Sequence, residues 1–154
     1  MARFQSQAEA QDDLGNTGII VRCFTSVGTI SGMGKVDIEA REFISLDSHH
    51  VQQFVGVHVT SSAEYSQTAF TTVAYDDVTR QIAAIDRLSA FNPHAVKYKQ
   101  IEVEFSLESG LKLVVFNDGK GKLMFSVTAQ TATAYFGDLL RLGELKRLIS
   151  KAKI

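Results

Sequence analysis

Apolar residues recur at every second position through most of this chain, and at every third or fourth in two stretches. In "KVDIEAREFISL" (35–46), Val36, Ile38 and Ala40 alternate with Asp37, Glu39 and Arg41. In "VQQFVGVHVT" (51–60), Val55, Val57 and Val59 share one face. "GIIVRCFTSV" (18–27) and "SQTAFTTVA" (66–74) have the same β-branched character and complete a set of four. Side chains of a strand point alternately to its two faces, so this period predicts antiparallel strands with one buried face.

The period then changes. In "YDDVTRQIAAIDRLSAF", Val78, Ile82, Ile85 and Leu88 follow in steps of four, three and three, which is a helical stripe. Asp76 and Asp77 suit its first turn, where carboxylates meet unpaired amides. "NPH" (92–94) ends it, because a residue before proline is pushed out of helical geometry. Four more strands are predicted: 97–107, 111–116, 123–130 and 131–139. Asp118-Gly119 marks a hairpin turn before the third, since glycine accepts positive φ. "RLGELKRLISKAKI" closes the chain as a helix with Leu142, Leu145, Ile149 and Ala152 inward.

The expected fold is therefore α+β: two antiparallel sheets with two helices, in the order ββββα-ββββα. Residues 1–17 read as a flexible polar lead-in and 18–154 as a single domain, with half-repeats 18–91 and 97–154. The halves align weakly at their helices: "AYDDVTRQIAAI" (74–85) lies over "RLGELKRLISKA" (141–152), matching Val78 to Leu145 and Ile82 to Ile149.

Composition narrows the function classes. The chain has 154 residues, enough to bury a core without a staple. Its formal net charge of −1 provides no global field for polyanions. Cys23 is the only cysteine, so no internal disulfide or cysteine-based zinc site is available, and its apolar strand context predicts burial. No segment is apolar for the roughly 18 residues of a membrane span, and the N-terminus lacks the apolar stretch of a secretory signal. A cytoplasmic protein without membrane contact is expected.

Candidate chemistry is sparse. "SVGTISGMGKVD" (26–37) invites comparison with a phosphate-binding loop. With Gly34-Lys35 as the end of G-x-x-x-x-G-K-[ST], the first glycine falls one place early, at Gly28, and the magnesium-binding hydroxyl is replaced by Val36. The segment also leads into a strand, where no helix N-terminus awaits a phosphate. It reads as a flexible link between strands. Asp47, His49, His50 and His58 lack metal-ligand spacing, and no G-x-S-x-G elbow is present. Glu102 and Glu104 lie two apart on one strand face and read as a solvated pair. Neither catalytic residues nor a cofactor or metal is expected, so the chain reads as no enzyme.

Two function classes remain. One is a non-catalytic interaction or scaffold protein that binds itself or a partner protein, since exposed edges of antiparallel sheets pair readily. The basic face of the last helix (Lys146, Arg147, Lys151, Lys153) offers a further surface. The other is a single-stranded nucleic-acid module, in which aromatics stack bases and cations follow the backbone. Its candidate contacts are Lys97, Lys99, Lys112, Lys120, Lys122 and Tyr98, with Arg22, Arg41 and Tyr135 also on strands. Asp37, Glu39, Glu102 and Glu104 share the outward positions and oppose phosphate.

Tyr75-Asp76-Asp77, Ser109-Gly110-Leu111, Phe116-Asn117-Asp118-Gly119, and Gly143-Glu144-Leu145 with Leu148-Ile149 and Ala152 form a recurrent pattern. In these pieces the last half of the chain resembles a loosely defined group of small, uncharacterised bacterial proteins. That resemblance implies a fold and no activity. In topology alone, ββββα-ββββα is similar to the plant Whirly proteins, which bind single-stranded DNA. No Whirly sequence motif is present, so this likeness assigns no residue a role.

Overall fold

A computed structural model describes residues 18–64 and 66–153. The lead-in expected over 1–17 lies outside them. Four strands come first: β1 (Ile20–Gly32), β2 (Gly34–Ser45), β3 (Val51–Thr60) and β4 (Thr68–Ala74). They form one antiparallel sheet in sequence order. Helix α1 (Tyr75–Ser89) follows, then a 3₁₀ turn at Pro93–Ala95. Strands β5 (Glu102–Ser106), β6 (Leu111–Asn117), β7 (Leu123–Ala129) and β8 (Ala132–Phe136) make a second antiparallel sheet, and α2 (Arg141–Ala152) closes the chain. The α+β order read from the hydrophobic periods is the observed one.

One apolar core joins the two sheets and the two helices. The first sheet contributes Ile30, Val36, Ile38, Val55, Val57 and Val59, the second Leu113, Val115, Phe125, Val127 and Phe136. Phe125 and Phe136 stack with ring centroids 4.8 Å apart. At one end of the first sheet β8 packs over β2 and β3; α2 packs over β1 and β2, and α1 over β3 and β4. At the far end of that sheet Phe43 and Phe54 form a small second buried cluster with Ile20 and Ala74 packed against it, while Arg22 to Ser26 and Val51 are exposed. This corrects the burial expected for Cys23. It lies opposite Glu42 on the core-side face, in an open hollow that Tyr75 also lines, and is exposed.

The glycine-rich stretch is also corrected. It is a paired strand junction, not a loose link: β1 runs to Gly32, β2 starts at Gly34, and Met33 alone turns between them. Met33 exchanges backbone hydrogen bonds of 2.8 Å with Tyr135, which ties the hairpin tip to β8 of the other sheet. Glycine permits this approach. A Cβ on Gly32 would lie 2.6 Å from the Tyr135 carbonyl oxygen and 2.7 Å from Phe136 Cδ1. One on Gly34 would overlap the Thr60 carbonyl oxygen, and φ there is +96°.

The inward stripe of α1 differs at one position. Val78, Ile85 and Leu88 are buried as expected, but the fourth buried residue is Gln81 and Ile82 is only half-buried. Gln81 is 1% exposed, and among the described residues neither its amide oxygen nor its nitrogen has a hydrogen-bond partner. Burying an amide without partners costs stability. In the helix alignment Gln81 stands where α2 has the buried Leu148. Gln81→Leu is therefore expected to stabilise the protein by about 1 kcal/mol, raising the thermal midpoint by roughly 2–4 °C. A lowered midpoint in a calorimetric scan would contradict this account of the site.

Candidate interaction surface

The outward face of the first sheet carries an unusual polar cluster. Glu39 on β2 is only 9% exposed although it points away from the core. Its Oε1 accepts a hydrogen bond from Arg41 Nε at 2.5 Å and lies 3.1 Å from His58 Nε2. Arg41 lies between two rings, 5.2 Å from the Phe24 centroid and 4.5 Å from that of Phe70. His58 packs on Phe70 at 4.5 Å. Register brings these groups together: Arg41 pairs with Phe24 on β1, Glu39 with Gly56 on β3, and His58 with Phe70 on β4. Gly56 makes room for the carboxylate, since a Cβ there would lie 2.6 Å from Glu39 Cγ. The strand alternation read Glu39 and Arg41 as ordinary outward residues and missed the cluster. A lone glycine inside "VQQFVGVHVT" is the one sequence feature that marks the close approach.

Beside this cluster runs an open edge. β1 is 13 residues long and, among the described residues, pairs only with β2. Leu46 donates its N–H to the Ile19 carbonyl at 3.0 Å, so Ile19 and Leu46 form a hydrogen-bonded pair next to the ladder pair Ile20–Ser45. In an antiparallel ladder such pairs alternate with non-bonded ones. Val21, Cys23 and Thr25 therefore bond to β2, whereas Ile20, Arg22, Phe24 and Ser26 aim their N–H and C=O groups at the free edge. A bulge between Ser26 and Gly28 ends this regular run. Phe24 is 64% and Ile19 63% exposed. Residues 20–26 contain neither the lysine nor the proline that commonly blocks a sheet edge.

The residues read as nucleic-acid contacts are only partly gathered. The strand expected from 97 begins at Glu102, so Lys97, Tyr98 and Lys99 lie in the connection before β5. The parity that placed Tyr98 on the face of Glu102 and Glu104 therefore does not apply. The Asn117 side chain holds this connection, accepting from Ile101 N–H at 3.1 Å and donating to the Lys99 carbonyl. Tyr98, Lys99 and Lys120 line one shallow hollow of about 580 Å³ with His94 and Asp118. Lys122 follows in the same hairpin turn. Asp118 braces that turn by accepting the N–H groups of Lys122 and Lys120 at 2.9 and 2.8 Å, which hold its carboxyl below the usual carboxylate range. Lys112 is separate: it stands about 17 Å of strand from Asn117 and pairs with Glu104 at 3.6 Å.

Other candidates are dispersed. His49 and His50 lie in the β2–β3 turn, and His58 is far along β3 against Glu39. On α2, Lys146 bonds Asp86 of α1 at 2.6 Å, and just beyond its end Lys153 reaches Thr79 at 3.4 Å, so half of that basic group braces the two helices. Among the described residues, no helix is long and apolar enough to cross a membrane. No protein-family model matches the chain, and no curated protein matches it significantly.

Proposed function

We propose that this chain is a non-catalytic interaction protein of the cytoplasm that assembles with copies of itself through the free edge of β1. The supporting observation is the run from Ile20 to Ser26, which leaves a row of backbone donors and acceptors open beside exposed Ile19 and Phe24. A strand is the partner that satisfies alternating N–H and C=O groups over seven residues. The Glu39–Arg41–His58 cluster supports the same reading. It stiffens the sheet behind the edge by holding Phe24 and Phe70 on either side of one guanidinium.

Light scattering on the eluting protein tests the assembly. The expected mass is twice the 16.9 kDa of the chain at tens of micromolar. Arg22→Pro is expected to return it to a single chain with the fold intact. The Arg22 N–H points to the free edge, so proline there removes a bond to a partner strand and none to β2. A monomer in the unchanged protein would sink the proposal.

A second reading, single-stranded nucleic-acid binding, draws on Tyr98, Lys99 and Lys120 around one hollow. It requires that a labelled single-stranded oligonucleotide bind at low salt and lose affinity steeply as salt rises, with Lys99→Glu and Lys120→Glu weakening it. No binding at low salt eliminates this reading.

A further inference from the structure

We infer that two copies of this chain pair antiparallel through β1 with Cys23 on the two-fold axis. The inference rests on the self-association proposed above and adds the register and the residue at its centre. Three constraints select that register. First, in the regular run before the bulge Ile20, Arg22, Phe24 and Ser26 offer the edge-directed groups, so even-numbered residues must bond to even-numbered residues of the second copy. Second, the bulge between Ser26 and Gly28 ends the regular run, and the centre of the seven residues from 20 to 26 is Cys23. Third, the neighbouring registers are worse. Centring on Arg22 sets two guanidinium groups directly opposite one another, which is destabilising. Centring on Phe24 sets Ile20 against Gly28 across the bulge.

In the selected register Ile20 bonds to Ser26 of the second copy and Arg22 to Phe24. Each Phe24 ring, already beneath Arg41 at 5.2 Å, then lies directly opposite Arg22 of the second copy. Val21 meets Thr25 on the opposite face. Cys23 meets Cys23 as a non-hydrogen-bonded pair, with Cα atoms about 4.5 Å apart. That separation lies within the range a disulfide spans. The thiol is exposed, so an oxidant can reach it.

Diamide on the full chain provides the test. Two Cys23 thiols lose two protons and two electrons to the diazene, which becomes a hydrazine, and one S–S bond forms. The expected product is a covalent dimer on a non-reducing gel, reversed by dithiothreitol and absent in Cys23→Ser. Its rate should exceed that of the Arg22→Pro variant by on the order of tenfold, because pairing raises the local thiol concentration. In a Cys23→Ser background, Val21→Cys alone should not cross-link, since the two copies of residue 21 sit about 14 Å apart along the ladder. Val21→Cys mixed with Thr25→Cys should cross-link to each other. A dimer by light scattering in which Cys23 does not cross-link faster than in Arg22→Pro overturns the register and leaves self-association standing. A monomer by light scattering overturns both.

Discussion

Replacing Gly34 by alanine is expected to destabilise the protein by about 3 kcal/mol. Two effects add. The backbone at Gly34 has φ +96°, which residues with a Cβ rarely adopt. The new methyl also meets the Thr60 carbonyl oxygen and lies 3.0 Å from Ala134 Cβ, and the carbonyl belongs to β3 backbone that cannot rotate aside. The hairpin tip must lift, and the Met33–Tyr135 backbone pair that joins the two sheets is then strained. For a chain of this size the thermal midpoint should fall by roughly 6–12 °C. Gly119→Ala is the control, because a Cβ there meets nothing within 4 Å. Equal midpoints for the two variants would show that the junction tolerates a side chain and that the close approach carries no weight.

The second large effect is expected at Glu39. Its carboxylate is nearly enclosed, with side-chain exposure of 12% against 14% for Arg41. Removing one member of such a pair leaves the other poorly solvated and unpaired, which typically costs about 3 kcal/mol or more. Glu39→Ala should lower the urea midpoint accordingly with little change in the denaturant slope. Glu39→Gln should lose less, since an amide oxygen still accepts from Arg41. A double-mutant cycle with Arg41→Ala isolates the coupling. Additive losses would mean that the two side chains act independently despite the 2.5 Å contact. Because the cluster sits behind the β1 edge, Glu39→Ala should also weaken self-association, whereas Gln81→Leu should not.

Much of the architecture was legible because it follows from local periodicity. Val55, Val57 and Val59 could only share a face if the segment were a strand, and Val78, Ile85 and Leu88 only if theirs were a helix. The breaks came where a residue's environment depends on distant chain. Cys23 has the sequence context of a core strand, and its side chain does face the core side. It is exposed because the helices leave an open hollow over it, with only Tyr75 of α1 among its lining. Tyr98 and Lys99 continue the alternation of β5 in sequence, yet the Asn117 side chain takes up the backbone groups of Ile101 and Lys99, so the strand starts later.

The glycine-rich stretch shows the same division. Its spacing alone ruled out a phosphate loop, since the first glycine is misplaced and Val36 stands where a hydroxyl is needed. Its docking onto Tyr135 and Phe136, a hundred residues further along, came from the tertiary structure. The amino-acid sequence by itself determined the kind and order of the strands and helices, because side-chain alternation and helical stripes are properties of neighbouring residues. Only the tertiary structure decided which polar groups meet: Glu39 with His58 across a glycine, Met33 with Tyr135 across two sheets, and the seven residues of β1 left open. These depend on sheet register and on where the covering layers end, which the local pattern does not encode.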